Sequence, residues 1–523
     1  MTAAAILAEC LAHPDDDASR LVWADAIGGE RGELVGLQCG RDAVTPAELA
    51  ARNRRERELL AANAMAWAGL EGRARRVQYR RGFVDAIEVD TDVWLAHANE
   101  IMARAPFITS LTLAHHHPTY STREGRAEAR SRLEQVIEHP TFERIRALAI
   151  SDRVVEVDYS WGDLVATVLT ATGAFAQLEA LALPYRFTEA GIPQLAEGGP
   201  ERVTRLWLRD SMLRSAAIHE LVKAMPNLSD LDIGGMHIDY QTMPARLRSL
   251  RLRHTTAETL VQIAESPLAP HLEYLAIQPD TRREQLAPEQ VAALARFPRL
   301  RALELHGELC EDPEALKMLA TIALPELREL RLSWTSSRPA LEHVVERLGP
   351  QLELLDLRTT QRIGNVPNTS CDVLVDEPRV IELLHVGPVP RASWRVANAL
   401  YGAGTPVDTD AWLAEETTDP RRTGRVWELG MFGDRWIRIG RGGMCDVILR
   451  HGSIARTHAV LEWRRGGHRV KDMGTTNGTV IDGERVSERM LRDGMRFKLG
   501  DLVLRYFVGP GGGERATACA TGR

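Results

Sequence analysis

Only 5% of the 523 residues are aromatic, six are cysteine, and no run of 18 consecutive apolar residues occurs. Without such a run a membrane-spanning helix is not expected. The apolar N-terminus (Met1 to Ala12) has no basic leader, carries Glu9 and runs into Asp15-Asp16-Asp17, which argues against a secretory signal. The cysteines (Cys10, Cys39, Cys310, Cys371, Cys445, Cys519) form no CxxC pair, so neither a disulfide framework nor a zinc site is expected, and a reducing cytoplasm is the default. A Walker A loop, HExxH, GxSxG and the kinase motif set are all missing. No nucleophile, base and orienter group together in the first 140 residues, so the expectation is a protein with no catalytic residue, cofactor or metal, and with neither nucleic acid nor membrane as partner. His115-His116-His117 reads as a solvated loop, because three adjacent side chains diverge and no carboxylate or cysteine stands at ligand spacing.

What is present is ordinary globular material: 44% hydrophobic and 26% charged residues, enough for three or four domains. The net charge of −7 is unevenly spread. Residues 421–510 hold 18 Lys plus Arg against 10 Asp plus Glu, a surplus of eight that leaves −15 on the remainder. A basic C-terminal region on an acidic body suits an anionic ligand such as phosphate.

An apolar triplet spaced LxxLxL recurs through the middle of the chain, for example at Leu178-Leu181-Leu183, Leu228-Leu231-Ile233, Leu300-Leu303-Leu305 and Leu327-Leu330-Leu332, ending in a worn Ile381-Leu384-Val386. From Leu183 onward the third positions advance by 19 to 29 residues. Each triplet predicts a short strand with its leucines on one face. Helices are predicted between them, as after Asp312-Pro313 and Arg338-Pro339. Residues 105–390 resemble the leucine-rich repeat family, which implies an α/β solenoid with the strands on a concave side. Trp207, Arg209, Arg251, Arg253 and Arg331 are then expected to stand exposed on that side as a protein-binding face.

The stretches HPDDDASRLVWAD, RGELVGLQ and RRGFVDAIEVD resemble the repeat-companion domain that precedes leucine-rich repeats in some bacterial proteins. Residues 1–104 are expected to be a helical cap on the solenoid. Residues 391–424, with Pro406 and Pro420, read as a linker carrying one short helix at Trp394 to Leu400. Beyond it the runs WIRI, CDVIL, HAVLEW, HRVKD, GTVID, MRFKL and DLVLRYFV alternate at strand period between Gly, Asp and Asn turns, which predicts an all-β sandwich. The tail 510–523, after GPGGG, is expected to be disordered.

Within that sandwich lie Gly440-Arg441, Ser453-Ile454-Ala455-Arg456-Thr457-His458 and Asp472-Met473-Gly474-Thr475-Thr476-Asn477-Gly478-Thr479. Their order and spacing over residues 425–509 resemble the forkhead-associated (FHA) family. The resemblance implies phosphothreonine peptide binding: Arg441 and Arg456 on the phosphate, Thr476 donating a hydroxyl, Asn477 bonding peptide backbone, and Gly440, Ser453, His458 and Gly478 supporting the loops. Guanidinium groups supply the paired charge-assisted donors that a dianionic phosphate needs. The family has Ser immediately before the Arg of its SRxH motif, whereas this chain has Ala455. The expected function is a signalling adaptor that reads threonine phosphorylation on a Ser/Thr kinase or its substrate and holds a second protein on the concave face. The alternative is a phosphate-independent scaffold with a degenerate pocket, in which Arg441 and Arg456 only tie loops through carboxylates such as Asp446 or Asp472.

Overall fold

The computed structural model describes residues 2–14, 16–39, 45–114, 123–150, 161–183, 187–208, 213–234, 238–279, 285–306, 309–310, 312–332, 337–357, 369–374, 383–384, 411–416, 424–429, 437–441, 445, 447–449, 451–464, 467–508 and 512–521. The chain divides into two units, Met1–Ala403 and Gly404–Arg523. His115-His116-His117, Arg209 and the helix expected at Trp394 to Leu400 lie outside the described residues.

The first unit is organised by one sheet of 13 strands in sequence order. These are β1 (Arg76–Arg80), β2 (Phe83–Asp90), β3 (Ser110–Ala114), β4 (Ala147–Ile150), β5 (Ala180–Ala182), β6 (Arg205–Leu208), β7 (Asp230–Gly234), β8 (Ser249–Thr255), β9 (Tyr274–Pro279), β10 (Ala302–Leu305), β11 (Glu329–Leu332), β12 (Leu354–Asp356) and β13 (Asp372–Leu374). After the β1–β2 hairpin every pairing is parallel. The middle residue of each LxxLxL triplet sits opposite its counterpart, Leu111 to Leu148, Leu181, Leu206, Leu231, Leu250, Leu275, Leu303, Leu330 and Leu355 in turn. Alternation turns this ladder to one face, where it packs with helical residues such as Leu316, Leu319, Leu341 and Val344 in a continuous core. The helix starts follow from local chemistry: the Asp312 carboxylate accepts from the Glu314 N–H (2.9 Å) at the start of Pro313–Thr321.

The N-terminal residues are not a separate helical cap. β2 pairs with β3 in the register Ile87 to Leu111, so the sheet runs through the expected boundary at 104. The companion-like motif residues hold this corner together. Arg20 lies against the stacked Phe83 and Phe107 rings (5.0 and 4.8 Å from their centroids) and donates to the Arg81 and Pro14 carbonyls. Gln38 accepts from the Gly82 N–H and donates to Glu56, each at 2.6 Å. The hairpin turn is thereby fixed to the helices.

The sheet curls strongly. Tyr79 on β1 donates to the Ala64 carbonyl on the long helix Pro46–Ala68, while Arg57 of that helix makes a bidentate pair with Asp372 on β13 (2.9 Å from Nη2). Residues 57 and 64 are ~10 Å apart along a helix. Twelve strand spacings along the sheet come to ~58 Å. Both hold only if the two ends of the sheet approach each other.

Three expectations are corrected here. Among the described residues the last strand of this sheet is Asp372–Leu374; Ile381 and Val386 of the worn triplet lie outside them, and Leu384 packs on the face opposite the helices, against Ala147, Ala149, Ala180, Ala182 and Trp207. Trp207 is therefore not exposed: 2% of its surface is accessible, and Arg251 stacks between it and Tyr274 (5.3 and 4.8 Å). The arginines of this inner face are paired with neighbouring strands: Arg205 with Asp230 (2.8 Å), Arg253 with Asp232 (3.1 Å), and Arg331 with Glu304 and Asp356 (3.3 and 3.2 Å).

The second unit is a β-sandwich. One sheet has Ala411–Glu415 between Val426–Glu428 and Leu502–Val508, followed by Arg496–Leu499, Thr479–Ile481 and Glu484–Val486. The other has Ile437–Gly440 between Val447–Ile448 and Ala459–Arg464, followed by Gly467–Asp472 and Glu488–Met490. Both enclose one core that includes Leu413, Ile439, Leu461, Val470, Phe497, Leu504 and Tyr506. Two boundaries shift. Part of the expected linker, Ala411–Glu415, is an internal strand, and the expected disordered tail contains the helix Gly512–Thr521, whose Ala516 and Ala520 pack on Ala414 and Phe507. Alanines four apart let the helix approach the sheet closely.

Candidate phosphopeptide site

Three loops and one hairpin turn converge at one end of the sandwich. The first begins where Ile437–Gly440 ends: the Arg441 N–H donates to the Ala455 carbonyl at 2.9 Å, joining it to the second loop, residues 449–458. Gly440 is required by this approach, since a Cβ there would lie 2.3 Å from the Arg456 carbonyl oxygen. Cys445 closes the same corner, its thiol donating to that carbonyl at 3.0 Å.

The third loop, 473–478, is fastened to the second by two side chains. Asn477 donates from Nδ2 to the Ser453 carbonyl at 2.7 Å. His458 is fully buried behind both loops: its Nδ1 accepts from the Ala455 N–H (3.2 Å), so its Nε2 carries the proton, which it donates to the Gly478 carbonyl (3.0 Å). Gly478 has φ +68°, and a Cβ there would strike the Arg485 guanidinium at 2.4 Å. His458 and Gly478 thus tie the second loop to the third.

Ser453 is held on every side. Its hydroxyl donates to His451 Nδ1 (2.7 Å) and accepts from the Asp501 N–H (2.8 Å) at the Gly500-Asp501 turn. It is committed to that turn and is not a spare donor in place of the Ser that Ala455 replaces.

The remaining motif residues face outward. Arg441, Arg456, Thr476 and Asn477 are all exposed, on loops fixed by the contacts above. Among the described residues no carboxylate or carbonyl engages the Arg441 or Arg456 guanidinium, and none engages the Thr476 hydroxyl. Asp472, a candidate loop-tying partner for the arginines, is occupied otherwise: it accepts from the Thr475 N–H and hydroxyl (2.9 and 3.1 Å) and from the Thr479 hydroxyl (2.8 Å). Asp446 lies outside the described residues.

Motif reading missed the support made by Asp472, Thr475, Arg485 and Asp501. The Asp472-x-x-Thr475 spacing was a usable signal, since a carboxylate three residues ahead commonly receives a backbone N–H. Arg485, which donates to the Thr475 carbonyl, had no such local signature. Elsewhere in the chain, burial pushes the Cys39 and Cys310 thiols up to about 12, so neither is an activated nucleophile. Among the described residues no cluster of His, Cys, Asp and Glu could hold a metal ion, and no helix is long and apolar enough to cross a membrane.

The sandwich and its loops define an FHA domain: residues 437–500 match that family, described as "FHA domain". A curated relative, the ABC transporter ATP-binding/permease protein Rv1747 of Mycobacterium tuberculosis, is 33% identical over 73 residues, 14% of this chain and 8% of that protein. The chain thus spans a small fraction of that relative. Among solved structures, the FhaA FHA domain complexed with the intracellular domain of Rv3910 aligns at 25% identity over 18% of this chain and 99% of the other, with a TM-score of 0.17. The yeast Dun1 FHA domain, in complex with a doubly phosphorylated (pT) peptide derived from Rad53 SCD1, aligns at 24% identity over 19% and 73%, with a TM-score of 0.16.

Proposed function

We propose that this chain is a non-enzymatic signalling adaptor whose FHA domain binds phosphothreonine peptides of a Ser/Thr kinase or its substrate in a bacterial cytoplasm. One observation carries the reading: two guanidinium groups and a hydroxyl stand exposed at one end of the sandwich, on braced loops, with no internal partner among the described residues. Arg441 and Arg456 give the phosphate its charge-assisted donors, Thr476 adds a directional hydroxyl, and Asn477, its amide nitrogen spent on Ser453, offers Oδ1 to a peptide N–H. Resemblance of the 13-stranded unit to leucine-rich repeats supports a second protein partner. The half-buried Arg253, Glu304 and Arg331, already paired within the fold, are the inner-face polar groups such a partner would meet.

Ala455 favours the second reading, a phosphate-independent scaffold. The test is titration of the full chain with a matched peptide pair, phosphorylated on threonine and not. The adaptor reading expects a preference for the phosphorylated peptide that Arg441→Ala removes. Equal affinity for both peptides leaves the scaffold.

A further inference from the structure

The inner face of the 13-stranded sheet is partly covered by its own chain. On β4 and β5 the residues turned away from the helices are Ala147, Ala149, Ala180 and Ala182, and β6 brings Trp207 beside them. Four methyl groups flanked by an indole form a shallow apolar seat about one side chain wide. Leu384 fills it and is 1% exposed. The Leu384 carbonyl accepts a hydrogen bond from the Ser110 hydroxyl, itself fully buried on β3. A side chain and a backbone group of one residue are thus held by four consecutive strands.

The position of this residue in the chain makes the contact informative. Leu384 follows β13 by ten residues, a stretch that reaches at most ~35 Å when extended. Ten strand spacings separate β13 from β3 along the sheet, ~48 Å. The curl of the sheet therefore brings β3 within reach of Leu384. The seat also forms an apolar cluster separate from the leucine ladder and its helices. Emptying it leaves the main core intact.

We infer that the described segment 383–384 acts as a strap, with Leu384 as the plug that closes the apolar half of the inner face in cis. The occupant is the protein's own segment 383–384, and a protein partner for this half of the face must displace it. This inference is independent of the phosphopeptide reading, which concerns the other unit.

A thiol placed in the seat tests it. Ala182→Cys is made in the full chain together with Cys519→Ser, because the other five native cysteines are buried. With Leu384 in place the new thiol should be protected from a maleimide. Leu384→Ser should raise its labelling rate at least about tenfold with the far-ultraviolet circular dichroism unchanged, as expected for a local opening. Equal rates in the two proteins, whether both fast or both slow, would overturn the strap. Leu384→Ala is the milder companion variant. If the Ser variant unfolds, the Ala variant must still fold and expose the thiol; loss of fold in both would make Leu384 an ordinary core residue and would also overturn it.

Discussion

Arginine serves opposite purposes in the two units. In the first unit Arg57 of the long helix and Arg205, Arg253 and Arg331 of the inner face each meet a carboxylate from another element, and their charge is spent inside the fold. On the sandwich loops, Arg441 and Arg456 meet none among the described residues. An exposed cation left without a partner keeps its full charge for a ligand, whereas a buried one must be neutralised or it destabilises the structure. Being on a plausible face therefore says less about a binding residue than what its charge is already doing.

The comparison can be broken first at the core. Leu330→Asp places a carboxylate in the leucine ladder and should unfold the first unit outright, read as loss of its melting transition. Trp207→Ala should cost about 3 to 5 kcal/mol, where an exposed Trp would cost almost nothing. A melting temperature unchanged by Trp207→Ala would return the inner face to solvent.

Next in size is the pairing itself. Asp230→Ala removes the carboxylate that pairs with the buried Arg205 guanidinium and should cost about 3 to 5 kcal/mol in denaturant unfolding. Arg441→Ala should stay within about 0.5 kcal/mol of the parent, because nothing internal depends on it. Similar losses in both would erase the distinction between the two units.

A buried titration separates the units by pH. His468, 1% exposed and bonded through Nδ1 to the Tyr506 hydroxyl (3.0 Å), has its pKa lowered to about 4 by burial. The unfolded chain, with a histidine near 6.5, binds the extra proton first as pH falls. The sandwich keeps its full stability above pH ~6.5 and loses up to roughly 3 kcal/mol between there and pH ~4. Denaturant midpoints of the second unit across that window check it, and His468→Phe should flatten the dependence.

The last expected effect lies at the missing hydroxyl. Ala455→Ser should tighten phosphothreonine peptide binding by roughly 1.5 to 3 kcal/mol, the range for a hydrogen bond to a charged group. Ser453 offers no substitute, since its hydroxyl holds the Asp501 turn. Calorimetric titration of the two proteins with one phosphopeptide measures the difference.

The repeat was legible because its information is local: two leucines at strand period declare which face is core, and their recurrence gives the ladder from Leu111 to Leu355. The motif that holds His458 and Gly478 was legible for the same reason, since its residues are close in sequence. Exposure of the opposite face was not, because it depends on curvature and on what lies across it. Trp207 is covered by a residue 177 positions away, and no window of sequence around either one carries that contact. The strand Ala411–Glu415 was missed because AWLAE reads as helix former, while its pairing with Leu502–Val508 decides its conformation. The terminal helix was hidden by the glycines before it.

The bidentate bond between Arg57 and Asp372 spans 315 positions, and that separation has a kinetic meaning. Stacked repeats ordinarily assemble by nearest-neighbour steps and can begin anywhere. A contact of such long range can form only after every intervening strand has been laid down. During synthesis the long helix Pro46–Ala68 emerges long before Asp372, so Arg57 makes this bidentate pair only once the thirteenth strand exists. Completion of the sheet is thus registered at its opposite end by the pairing of Asp372 with the long helix, and a chain cut short before residue 372 lacks that registration.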